Sequence, residues 1–120
     1  MSSPLGSHVS AAGGTYEAPP RAVAIDATAL QLFTKQANRW AERECADDEC
    51  VRFRTALVGT RLGATVAHDS YLINLASPDP ALRARSIDSM AAELARCEAE
   101  SPGYAIRARA LSAWARAVLA

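Results

Sequence analysis

The amino-acid sequence predicts an all-α protein: a compact antiparallel bundle of about four helices behind a flexible N-terminal arm. Three observations carry that expectation. Apolar residues recur at helical spacing from Asp26 to Ala120. Two Ser-Pro junctions, at Ser77 and Ser101, punctuate the chain as helix stops do. No stretch alternates apolar and polar residues in the manner of a half-buried strand.

A chain of 120 residues is one domain by length. Residues 1–24 read as a disordered arm, because Ser, Gly, Ala and Pro dominate up to Pro19-Pro20 and offer too little apolar surface to offset ordering entropy. Residues 25–120 form the predicted helical domain. Its first helix is expected from Asp26, a good acceptor for free first-turn amides, with Ile25 and Leu30 as a hydrophobic staple. Leu30, Phe33, Ala37 and Trp40 mark its inner face.

The second helix is expected to start at Asp47 or Asp48 and run to about Leu75. Asp48 and Glu49 suit the positive end of its dipole. Val51, Val58, Leu62, Val66 and Ile73 form its apolar arc, and Gly59, Gly63 and Ala67 make a stripe of small residues four apart. Ser77-Pro78-Asp79-Pro80 then stops one helix and starts another, with Asp79 as cap and Pro80 in the first turn, where no amide is needed. The third helix presents Ile87, Met90, Leu94 and Cys97. Beyond Ser101-Pro102 a fourth carries Tyr104, Leu111, Trp114 and Val118.

Charge bounds the function. Thirteen basic and 13 acidic residues cancel, which argues against nucleic acid as a partner, since phosphate binding needs a local positive excess. The distribution is uneven: residues 42–49 hold five acids and one Arg, whereas residues 50–68 and 102–120 each hold three Arg and no acid. Twelve of the 13 basic residues are Arg, which fits a GC-rich bacterial genome. No run of 18 apolar residues could span a membrane. The absence of a signal peptide points to the cytoplasm by default, or to the periplasm or secretion if a cysteine pair is oxidised.

Cys45 and Cys50 flank an acidic corner where a helix breaks, so they are a candidate disulfide; in one straight helix, residues five apart point in different directions. Cys97 lies on the apolar stripe of the third helix and reads as a small core residue. Cys45, Cys50, Cys97 and His68 have the atom types of a zinc site. On one helix, however, Cys50 and His68 would stand about 27 Å apart, so no metal is expected.

The most informative feature is polar. Projected at 100° per residue, Arg61, Thr65 and Asp69 fall inside the apolar arc of the second helix as a ladder four residues apart, with Arg54 nearby. Arg107 interrupts the fourth helix in the same way, and Arg109 and Arg116 share its solvent face. Such residues either pair internally or line a binding surface. His68-Asp69-Ser70 holds the residue types of a hydrolase triad, but neighbours on a helix point about 100° apart and cannot relay a proton.

No catalytic constellation, cofactor or family motif emerges. The sequence therefore reads as a non-catalytic protein–protein interaction module of inhibitor, immunity-protein, chaperone or adaptor type. Its partner would be another protein or a second copy of itself, met through Arg109, Arg116 and the acidic corner, whereas Arg61, Thr65 and Asp69, with His68 or Arg107, would line the pocket of a ligand-binding alternative. A small-ligand-binding bundle with a polar pocket on its second helix, or a secreted bacterial effector, are the alternatives.

Overall fold

Among the described residues, four parallel strands rather than an all-helical bundle organise the fold. The computed structural model describes residues 3–100 in full and the backbone of residues 105–107. In chain order come β1 (Gly6–His8), α1 (Ala18–Val23), β2 (Ala29–Phe33), α2 (Asp47–Leu57), β3 (Ala64–His68), α3 (Pro80–Glu100) and β4 (Ala105–Arg107). The sheet order is β1-β2-β3-β4 and every pairing is parallel. Parallel neighbours need a crossover, and here each crossover contains a helix. Because the order never reverses, the winding is that of a sheet curling toward a barrel, not of a doubly wound sheet with a switch point.

The predicted arm is part of this sheet. Gly6 and His8 pair with Ala29 and Gln31, and Ala18 and Ala22 of α1 are fully buried. Glycine is required at position 6, where a Cβ would stand 1.7 Å from the Ala29 carbonyl oxygen. Burial of α1 against β2 and of Phe53 from α2 joins Leu30 and Leu32 in the main core. The small residues read as disorder are what lets backbones pack closely here.

The all-α expectation fails at two places with identifiable causes. Asp26 does not cap a helix; it takes φ 57 in a turn before β2. Leu30 and Leu32 are then buried together at strand spacing, while Leu30, Phe33 and Ala37 mimic a helical face. A five-residue strand carries too few periods for the two readings to separate. The second helix does begin at Asp47 but ends at Leu57, and Gly59 follows with φ 75. Gly59 and Gly63 are therefore breaks before β3, not a stripe for helix approach.

The third helix starts as its punctuation indicates: Pro80 is its first residue, and the Ala81 amide donates to the Asp79 carboxylate at 3.0 Å. Its buried face is more polar than expected. Met90 and Cys97 are buried, but Ile87 and Leu94 are each 52% exposed, and Ser86, Ser89, Glu93, Arg96 and Glu100 turn inward. The predicted fourth helix is replaced at residues 105–107 by β4; its remainder, with Arg109 and Arg116, lies outside the described residues. Among the described residues no helix is long and apolar enough to cross a membrane.

Candidate functional site at the carboxyl ends of the strands

In parallel sheets the strand C-termini share one edge, and chemistry collects there because the loops that follow are free to vary. This sheet puts His8 at the end of β1, Phe33 at the end of β2 and His68 at the end of β3. Phe33 and His68 are direct partners in the register. The Phe33 ring and the two imidazoles form a triangle, with Phe33 4.5 Å from His8 and 5.0 Å from His68 and the imidazoles 6.2 Å apart, centroid to centroid. Tyr71, from the turn after β3, meets Phe33 edge-on at 5.2 Å and His68 at 5.6 Å, and is 66% exposed.

Each imidazole is held from one side. His8 Nδ1 sits 2.9 Å from the Gln31 side-chain amide. His68 Nδ1 is 2.7 Å from the Asp69 carbonyl oxygen and 3.6 Å from the Asp69 carboxylate. If Nδ1 carries the proton and donates to that carbonyl, Nε2 is the lone-pair nitrogen, the arrangement in which histidine ligates a metal ion or acts as a base. Partial desolvation of an otherwise exposed ring, and then repulsion from His68, hold the His8 imidazole below its ordinary pKa.

The loop leaving β2 is fixed by a buried charge network. Thr34 Oγ1 donates to Glu93 at 2.6 Å and accepts from Arg96 Nε at 3.0 Å. Arg96 also bridges Glu93 at 2.7 Å and Glu42 at 2.6 Å. Lys35 Nζ reaches Glu42 at 3.1 Å and the Arg39 carbonyl at 2.9 Å. The loop leaving β3 is tied to the same strap, since Ser70 Oγ donates to the Ala37 carbonyl at 2.7 Å and the Tyr71 amide to the same oxygen at 2.9 Å. Beside Phe33 and Thr34 a cleft of about 410 Å³ opens, also lined by Gln36 and Arg43.

The structure disperses the residues predicted as a ladder. Arg61 is exposed in the loop before β3, Thr65 is a half-buried strand residue paired with Leu30, and Asp69 is buried just beyond β3. Arg107 ends β4, in register with His68. Four-residue spacing means nothing once the helix is absent. Arg54 runs instead to the C-terminal end of α3, donating to the Ala99 carbonyl at 2.7 Å. The four zinc-type residues are not gathered either: Cys45 lies with Cys50, Glu49 and Glu100, apart from His68 among the aromatic rings. His8 escaped the sequence reading because it sat in the supposed arm, and Phe33 because it was assigned to a helix core. The one usable signal was His68-Asp69 behind the short β-branched run Thr65-Val66, which fits a strand end.

No family model matches the chain. It is similar to proteins named probable endonuclease 4. With that of Halorhodospira halophila it is 44% identical over 93 residues, covering 78% of this chain and 31% of the relative. With that of Trichlorobacter lovleyi it is 38% identical over 97 residues, covering 81% of this chain and 34% of the relative. The crystal structure of endonuclease IV from Thermus thermophilus superposes with a TM-score of 0.78 at 28% identity, over 87% of this chain and 39% of that one. The chain thus spans about a third of the length of the curated relatives it matches. These likenesses correct the sequence reading. Proteins named as endonucleases overturn the non-catalytic interaction module with its ligand-binding and effector alternatives, and the exclusion of enzyme activity and of a nucleic-acid partner. The fold is that of a parallel β/α barrel segment.

Proposed function

We propose that this chain forms part of an endonuclease site that hydrolyses phosphodiester bonds in DNA, with His8 and His68 as its reactive groups. The observation that carries the reading is the convergence of two imidazoles, from strands that are not neighbours, on one carboxyl edge. Names of the relatives supply the reaction class. Phe33 and Tyr71 offer flat faces beside the imidazoles, suited to stacking against bases or sugars. Zero net charge misled because it sums the whole chain, whereas a scissile phosphate meets one edge. Such an enzyme works where the genome is, in the cytoplasm.

Nuclease chemistry commonly uses divalent metal ions, and the donor set fits one in part. Two imidazoles, His8 held below its ordinary pKa and His68 fixed through Nδ1, are nitrogen donors of the right kind. Their 6.2 Å separation needs a small ring rotation to reach one ion, whose metal–nitrogen bonds are about 2.0–2.1 Å. An ion there would polarise a phosphoryl oxygen and acidify a bound water. The protein's own part is to hold both rings through Gln31 and Asp69 and to favour the unprotonated form of His8.

The test pairs nicking of supercoiled plasmid with binding of a fluorescent DNA duplex by the full chain, with and without added zinc or manganese. Metal-dependent nicking is expected, falling by about 100-fold or more in His68→Ala, with the folded state intact by circular dichroism. A chain that neither binds the duplex nor nicks it under any metal condition overturns the reading.

A further inference from the structure

We infer that Cys45 and Cys50 are a redox-modification site, closing to a disulfide when the protein meets a peroxide. Their Sγ atoms are 2.7 Å apart, approaching the bonded distance of about 2.05 Å. The backbone explains the approach. Ala46 is extended, with φ −63 and ψ 148, and caps α2, while the Cys50 amide donates to the Ala46 carbonyl at 3.0 Å. This break lets Cys45 fold back over the first turn, which a continuous helix through both residues would prevent.

Access is one-sided. Cys50 is 3% exposed, but Cys45 is half-buried and lines a cleft of about 600 Å³ with Glu42, Arg43, Ala92, Ala95 and Ala99. Cys97 does not compete: it is 2% exposed on α3, 3.6 Å from Glu93, and burial pushes its thiol well above the ordinary range. The difference is access: Cys97 is shut off from a peroxide, whereas the Cys45 sulfur borders the open cleft. All three cysteines are free thiols in the structure.

The chemistry balances as follows. Cys45 gives up its proton and its sulfur attacks one oxygen of hydrogen peroxide; the O–O bond breaks and one water leaves, with Cys45 as the sulfenic acid. Cys50 sulfur then displaces the hydroxyl, which departs with the Cys50 proton as a second water while the S–S bond forms. Two thiols lose two electrons and the peroxide gains them. Burial, the Cys50 contact and the Glu100 and Glu49 carboxylates raise the Cys45 thiol far above its ordinary pKa, so the first step is slow. The same surroundings make Cys45 a poor leaving thiolate, so the bond resists reduction once formed.

The bond would join the strap that carries Glu42 and Arg43 to α2, where Glu49 already receives Arg43 and the Thr15 amide and hydroxyl. Oxidised chain should melt higher, on the order of 5 °C for so short a loop. The experiment treats full chain with hydrogen peroxide, alkylates it after unfolding without reduction, and maps it by mass spectrometry. Expected are one alkylated cysteine, Cys97, and a tryptic peptide 44–52 lighter by two hydrogens that Glu-specific cleavage leaves joined. The Cys97→Ser variant should give the same crosslink with no alkylation. Three alkylatable thiols after treatment overturn the proposal, as does sulfinic acid at Cys45 beside an intact Cys50 thiol. So does zinc in the purified chain that shields both sulfurs, which would make Cys45, Glu49 and Glu100 a metal cluster instead.

Discussion

The loop after β2 belongs to two regions that treat polar groups in opposite ways. Thr34 and Lys35 enter a network in which every named charge meets its opposite: Glu93 with Arg96, Arg96 with Glu42, Glu42 with Lys35. One residue earlier, Phe33 belongs to a cluster where the neighbour of one imidazole is another imidazole. The first arrangement is electrostatically closed and can only hold shape. The second is open at His8, which meets an amide and another imidazole; His68 alone has a carboxylate beside it, Asp69 at 3.6 Å. The difference teaches where to look for chemistry: at groups whose most favourable partner is not supplied by their own neighbours.

The comparison breaks most visibly at Arg96. Glu93 is fully buried and Arg96 is 5% exposed, so Arg96→Met strands a buried carboxylate and should destabilise the chain by about 3–5 kcal/mol. Chemical denaturation measures the loss. If the network serves only shape, the double variant Arg96→Met with Glu93→Met should recover most of it, because a buried pair replaced by apolar residues is often neutral. A double variant as unstable as the single one would show that Thr34 or Glu42 depends on these charges for more than pairing.

The same contrast explains what the sequence disclosed. The starts of α2 and α3 were legible because their cues are local: the acids Asp47, Asp48 and Glu49 in the first turn of α2, and Asp79 with Pro80 at α3. Strands were not, because β1 has three residues and β2 and β3 five each, too few for period two to outvote accidental spacings of three and four. Leu30, Phe33 and Ala37 illustrate this, since the first two belong to one strand and the third to the following loop. Glu93 and Arg96 were invisible as core, because a charge becomes an inward residue only when its partner, here on another element, is in place. His8 and His68 stand 60 positions apart in the chain, and only parallel pairing of both their strands with β2 brings them together.

Removing an imidazole should cost far less stability than removing Arg96. His8 is exposed and His68 only half-buried, so His8→Ala and His68→Ala should each shift the folding free energy by less than about 1 kcal/mol. Both should impair DNA cleavage and metal binding in the assays above. Thermal melts alongside isothermal titration with zinc separate the two effects. A loss of several kcal/mol in either variant would make the histidines part of the core and erase the contrast.

The smallest effect tests whether the closed region is closed at its rim. Burial pulls the Glu42 carboxyl up, but hydrogen bonds from Ser89, Arg96 and Lys35, with the charge of Arg96, outweigh it and hold the group below its ordinary value of 4.5. A carboxyl lowered by folding stabilises fully above that ordinary value, and the stabilisation is lost as pH falls toward the folded value. Glu42 is 35% exposed at its side chain, so water screens the pair and the contribution is modest. Urea midpoints of Glu42→Gln should therefore lie slightly below those of the parent chain at pH 7 and converge with them as the pH drops below 4.5. Parallel curves across that window would place the proton uptake of acid unfolding elsewhere, at Glu49. Its carboxyl is also held low: Thr15 and Arg43 outweigh the burial that raises it.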